Sequence, residues 1–190
     1  TEEISGITAN AYRRNLNAAW NWGKVYLDGM PDIDNPFAIE TMPEEPGQKY
    51  VPPVDDLMKV FACAERERDR VMLLTMFNLA CRPMEMATLK WEDVDLDNKT
   101  VRLWTSKRKG GKREADTLEI SPDLYQALVK YRKKVEGSEW VFESPRGGHY
   151  KSLKDWLDLL CQKAGVKRFT PHALRHLAAT ELARNGAHPK

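Results

Sequence analysis

The sequence predicts a mainly α-helical domain with a small antiparallel β-sheet on one side, an α+β fold. Three observations predict it. Apolar residues recur at helical spacing over most of the 190 residues, but between Trp91 and Ile120 the pattern changes to a period of two. Residues 30–53 hold six of the eleven prolines with little periodicity, which sets one N-terminal helix apart from the rest.

Taken in order, Tyr12, Leu16, Ala19 and Trp20 place a helix from Thr8 to about Asp28, with Gly29 ending it. Residues 31–52 read as a linker. Pro53 suits the first turn of a helix running to about Arg66, with Leu57, Val60, Phe61 and Ala64 on one face. A second helix from about Asp69 to Ala80 contains the run VMLLTMFNLA and should be largely buried. Pro83 restarts the chain as a short helix. VDLDNKTVRLW then predicts a hairpin turning near Asp97 and Asn98, and ADTLEI predicts a third strand. Helix resumes at Ser121 and Pro122 with Leu124, Ala127, Leu128 and Tyr131 inward. WVFES, residues 140–144, reads as a short strand, and LKDWLDLLCQKAG as an amphipathic helix ending at Gly165. Thr170 is a good N-cap with Pro171 behind it, and Asn185 and Gly186 make a stop.

Composition narrows the function classes. Three cysteines, none in a C-x-x-C spacing, argue against a disulfide scaffold or a zinc ribbon and for a reducing compartment. With no long apolar run and no leader pattern, the expectation is a soluble, cytoplasmic protein. Charge is uneven: residues 1–56 carry ten acids and four bases, the remainder eighteen acids and twenty-six bases. An acidic start followed by a basic domain suits a polyanionic partner, although charge runs often mean only a solvated face.

Three stretches carry candidate chemistry. In CRPMEMATLKWEDVDL, residues 81–96, Arg82 precedes a proline, which keeps it out of the α region at a helix entrance. Glu85, three residues on, is placed to hold that guanidinium, though the pair alone also fits an ordinary ion pair. In SKRKGGKRE, residues 106–114, Lys107, Arg108, Lys109, Lys112 and Arg113 surround two glycines. Such a turn suits contact with DNA phosphates, or is simply a solvated hairpin tip; it is no nucleotide P-loop, because Arg113 stands in the Ser/Thr position. In the helix that Thr170 opens, His172 lies in the first turn and Arg175 one turn along, above an inner stripe of Leu174, Leu177, Ala178 and Leu182. A guanidinium and an imidazole aimed at one phosphate are what phosphoryl transfer requires. His172 and His176 have zinc-pair spacing, but Ala173 replaces the glutamate of a zincin and no third ligand follows, so no metal is expected. His176 reads as packed or surface. No G-x-S-x-G elbow is present.

The order R-x-x-E, then a lysine after a strand, then H-x-x-R opening a late helix resembles the tyrosine recombinase (phage integrase) family over residues 53–190. CRPMEMATLKWEDVDL and FTPHALRHLAATELARNGA are similar to that family's two strongest signatures. The resemblance implies a recombinase catalytic-domain fold with Arg82, Lys107, His172 and Arg175 as catalytic residues and Glu85 buttressing Arg82. Arg108, Lys109, Lys112 and Arg113 would touch DNA, and residues 1–30 would be part of a helical domain that clamps DNA from the other side. The implied reaction needs no cofactor and no metal: a tyrosine attacks the scissile phosphate, giving a 3′-phosphotyrosyl link and a free 5′-hydroxyl, with Lys107 donating a proton to the leaving oxygen. Double-stranded DNA is the implied partner, bound by a homo-oligomer, a tetramer. The family's nucleophilic tyrosine follows H-x-x-R, whereas all six tyrosines here (Tyr12, Tyr26, Tyr50, Tyr125, Tyr131, Tyr150) precede His172. The expectation is therefore an incomplete catalytic domain, without a nucleophile of its own and inactive alone. Two other readings stay open: a noncatalytic double-stranded DNA-binding protein on the same fold, and an interaction module whose basic hairpin meets an acidic partner.

Overall fold

A computed structural model describes residues 4–44, 47, 50–105 and 114–186. The chain divides into two compact units, Thr1–Gln48 and Lys49–Lys190.

In the first unit α1 (Gly6–Tyr26) starts where the Ser5 hydroxyl accepts a hydrogen bond from the Thr8 amide at 3.3 Å. Asn10 is 2% exposed and pairs with backbone from far along the chain. Its Nδ2 donates to Met42 O at 2.8 Å, and its Oδ1 accepts from Met42 N at 2.8 Å. Arg13 donates to Ile39 O at 2.9 Å, and Trp20 meets Phe37 edge-on at 6.1 Å. Gly6 allows this return: a Cβ there would lie 2.4 Å from Pro43 O. The first part of the stretch read as a linker is thus no free spacer. Residues 35–44 are held by side-chain-to-backbone hydrogen bonds, which leave no hydrophobic period to read.

The second unit is mostly helical. α2 (Val54–Cys63) opens after Pro53, with Leu57 and Val60 buried. α3 (Glu67–Leu79) runs through the middle of the core; Val71, Met72, Leu73 and Met76 are all at most 2% exposed. It packs against α5 (Pro122–Arg132) and α7 (Pro171–Arg184), while α2 packs on α6 (Lys154–Ala164). Buried Asp69 accepts from the Trp156 indole at 3.2 Å and from Arg68, so its charge is paired inside the core.

α3 ends at Ala80, which adopts φ 41°, ψ 35°, the left-handed conformation usually left to glycine. This turn reverses the chain into Cys81 and Arg82. Ala80→Gly is expected to raise stability by about 1 kcal/mol, read as a higher thermal unfolding midpoint. An unchanged or lower midpoint would mean that the strain there is negligible.

α4 (Pro83–Ala87) is the short helix that Pro83 starts, followed by a 3₁₀ turn at Trp91–Asp93. A three-stranded antiparallel sheet follows: β1 (Val94–Asp95), β2 (Thr100–Thr105) and β3 (Glu114–Glu119), in that spatial order. Its register pairs Val94 with Val101, and Thr105 with Glu114. At the first turn the Asp95 carboxylate accepts from the Asn98 backbone at 2.9 Å and from its side chain at 2.7 Å, bonds that hold its pKa below the usual value. Asp93 fastens the 3₁₀ turn to β2, accepting from Arg102 Nε and Trp104 Nε1, both at 2.9 Å.

WVFES is not a strand. Trp140 bridges Lys90 and Glu143 bridges His149, each as a single antiparallel pair. Val141 and Phe142 are consecutive and both 0% exposed, so the alternation a half-buried strand needs is missing; the segment bends into the core between its two partners. Phe142 stacks on Tyr131 at 6.1 Å.

The cysteines sit as the core dictates. Burial pushes the Cys81 thiol up to about 12 and also raises Cys161, whereas Cys63 is partly exposed. Alkylation of the native protein at neutral pH, followed by mass spectrometry, is expected to label Cys63 alone. Equal labelling of Cys81 would show that α3 and α4 open readily.

Candidate active site

Arg82 and Glu85 face each other across the first turn of α4. Arg82 stands at φ −68°, ψ 146°, the extended conformation its following proline favours. Glu85 reaches back twice: its Oε2 accepts from the Arg82 amide at 2.7 Å, and its Oε1 accepts from Arg82 Nη1 at 2.6 Å. The carboxylate therefore caps the helix and aims the guanidinium at once. Arg82 Nη1 also donates to Thr105 Oγ1 at 3.2 Å, at the end of β2. Thr105 is 4% exposed, and nothing in the sequence pattern singles it out.

α7 delivers the other half. Thr170 Oγ1 accepts from the Ala173 amide at 3.1 Å and Pro171 occupies the first turn, as the sequence predicts. Leu174, Leu177 and Ala178 are buried against the core, Leu182 is half-buried, and His176 is on the surface. This sets Arg175 beside Glu85, with Nη1 4.0 Å from Oε2. That distance is an ion pair rather than a hydrogen bond, and Arg175 Nη1 is buried with no hydrogen-bond partner among the described residues.

Arg82, Glu85, Thr105 and His172 line a single cleft of about 490 Å³. Arg175 is not among the residues that line it, but its guanidinium lies 4.0 Å from the lining residue Glu85. The structure thus gathers Arg82, Glu85, His172 and Arg175, which the sequence holds about ninety residues apart. Lys107, Arg108, Lys109, Lys112 and Arg113 lie outside the described residues. Lys90, Trp140 and His149, which sequence reading passed over, line the same cleft; each reaches it through a single bridge or loop, without a periodic signal. Among the described residues no group of three or more His, Cys, Asp or Glu side chains is arranged to hold a metal ion, and no helix is long and apolar enough to cross a membrane.

Two guanidiniums meet one largely buried carboxylate, and an imidazole lines the same cleft, on a mostly helical scaffold. The chain belongs to the phage integrase family, whose model matches residues 53–190, and is a tyrosine recombinase family member. It is 29% identical over 140 residues to the tyrosine recombinase XerA of Pyrococcus horikoshii, an alignment covering 70% of this chain and 47% of that protein. To the tyrosine recombinase XerD of Listeria innocua it is 27% identical over 180 residues, covering 87% of this chain and 57% of that one. The chain spans about half the length of the curated relatives it matches. Among solved structures, the Tn1549 transposon integrase in complex with circular intermediate DNA superposes with a TM-score of 0.71 at 20% identity, covering 98% of this chain and 69% of that one. Likeness at that identity supports the fold, mostly helical with a small sheet, which is the fold class the sequence predicts.

Proposed function

We propose that this chain holds the scissile phosphate in site-specific recombination of double-stranded DNA, a transesterification through a phosphotyrosyl intermediate. The observation that carries the reading is Glu85, which holds Arg82 by two hydrogen bonds and Arg175 by charge at the cleft that His172 lines. Arg82, Arg175 and His172 stabilise the charge that develops on the non-bridging oxygens, and Lys107 protonates the leaving 5′ oxygen. Arg108, Lys109, Lys112 and Arg113 contact flanking phosphates. No nucleotide is needed, because the phosphotyrosyl bond conserves the energy of the one broken. Residues 1–30 belong to a DNA-clamping domain, and the active form is a homotetramer on DNA.

The nucleophile comes from outside these 190 residues. Among the described residues no tyrosine lines the cleft; Tyr131 and Tyr150 are core residues, and burial pushes the Tyr131 phenol up to about 12 and also raises Tyr150. That same observation favours the second reading, a DNA-binding protein without catalysis. A denaturing gel after incubation with duplex DNA separates the claims: a covalent adduct formed by this chain alone would refute an external nucleophile.

The main test is a salt titration of duplex binding with Arg82→Ala and Arg175→Ala beside the wild type. Affinity should fall steeply with salt, and each variant should flatten the log–log slope by about 0.9, one phosphate contact. Variants that bind as the wild type does, with the same slope, would sink the phosphate assignment.

A further inference from the structure

The residues that line the cleft differ in chemistry. Arg82 and His172 line its cationic part. The wall formed by Lys90, Trp140 and His149 is different. The Lys90 ammonium lies 5.2 Å above the Trp140 ring, but its charge is already committed, to Glu139 at 2.6 Å and Glu92 at 3.6 Å. Those two carboxylates, Glu139 foremost, raise the Lys90 pKa and outnumber its charge. A second phosphate would meet two carboxylates here for one ammonium, and so is disfavoured.

What this wall does offer is a half-buried pair of aromatic rings. Trp140 and His149 meet edge-to-face with ring centroids 5.2 Å apart. Both are held from behind by backbone: Trp140 bridges Lys90, the Trp91 amide donates to Glu139 O at 3.1 Å, and the Val141 amide donates to Leu89 O at 2.9 Å. His149 Nδ1 lies 2.9 Å from Tyr150 O. A carbonyl only accepts, so Nδ1 is the donor of this pair. The cleft, at about 490 Å³, is of the size that encloses a small organic ligand rather than a lone oxyanion.

We infer that the Trp140–His149 wall is a nucleoside subsite, which packs against the sugar or base attached to the phosphate that Arg82 and Arg175 hold. The ligand of the whole cleft is then a nucleotide unit, with its phosphate at the arginines and its nucleoside on the indole. The inference rests on the phosphate reading above and adds a positioning contact to it. Packing on one side of the phosphate fixes which of its oxygens face Arg82 and Arg175.

The test uses the 190-residue chain and three small probes: dimethyl phosphate, thymidine 3′-(methyl phosphate) and thymidine 5′-(methyl phosphate). Dissociation constants come from NMR titrations, with the Trp140 indole N–H as a direct reporter of contact. At least one nucleoside probe is expected to bind about tenfold tighter than dimethyl phosphate and to shift the Trp140 indole resonance. Trp140→Ala and, separately, His149→Ala should shrink that advantage, while Arg175→Ala should weaken all three probes together. Equal affinity of the three probes for the wild type, an unmoved indole resonance, or an advantage that survives in Trp140→Ala would overturn the nucleoside subsite and leave the phosphate reading standing. Binding of every probe untouched by Arg175→Ala would remove the phosphate reading and the subsite with it.

Discussion

Glu85→Ala is expected to lower stability by about 2 kcal/mol and to reduce DNA affinity about tenfold or more. The carboxylate is only 10% exposed; it accepts hydrogen bonds from the Arg82 amide and Arg82 Nη1 and forms a longer ion pair with Arg175. Removing it leaves the first turn of α4 uncapped and two guanidiniums repelling each other with no anion between them. Arg82 is 38% exposed and regains some hydration, so the loss falls short of that for a fully buried pair. The conservative change Glu85→Gln keeps a hydrogen-bond acceptor and the shape but not the charge. It should recover part of the stability and little of the DNA affinity. Chemical denaturation and a DNA titration of the two variants check this; a stable Glu85→Ala protein that binds DNA normally would show that the arginines need no such support.

The second large effect is expected from Leu174→Ala, a loss of about 3 kcal/mol of stability, seen as a fall of about 10 °C in the unfolding midpoint. Leu174 is 0% exposed on the face of α7 that meets the core, directly before Arg175 and two residues after His172. Truncation leaves a cavity between α7 and α3, whose side chains are packed too tightly to close it. DNA affinity measured well below the midpoint should stay within a few-fold of wild type, because the capping of Thr170 and the Glu85 contact are untouched. Leu174→Ala and Glu85→Ala thus separate two roles, one holding the helix and one holding the arginines. A midpoint unchanged by Leu174→Ala would place α7 outside the cooperative core.

Local chemistry made much of this legible in advance. Thr170 and Pro171 start α7, Ser121 and Pro122 start α5, and Gly165 ends α6 with φ 63°, each because one residue type satisfies one backbone requirement. The period-two pattern after Trp91 marked the sheet for the same reason. WVFES was misread as a strand because β-favouring residues in a row do not reveal that two of them, Val141 and Phe142, are buried side by side. The fold-back of residues 35–44 was missed because asparagine-to-backbone bonds leave no period. Ala80 was passed over because its left-handed conformation breaks the preference that a sequence reader relies on.

The sequence by itself determined the helices, the small sheet and the identity of the charged groups, since capping, periodicity and residue chemistry act over a few positions along the chain. Only the tertiary structure decided that Glu85 answers two arginines about ninety residues apart, that Thr105 braces Arg82, and that Trp140 and His149 share the cleft with His172. Those meetings depend on how α4, α7 and the end of β2 pack around α3, and packing is set by the shapes of many buried side chains together, which no short window of sequence contains.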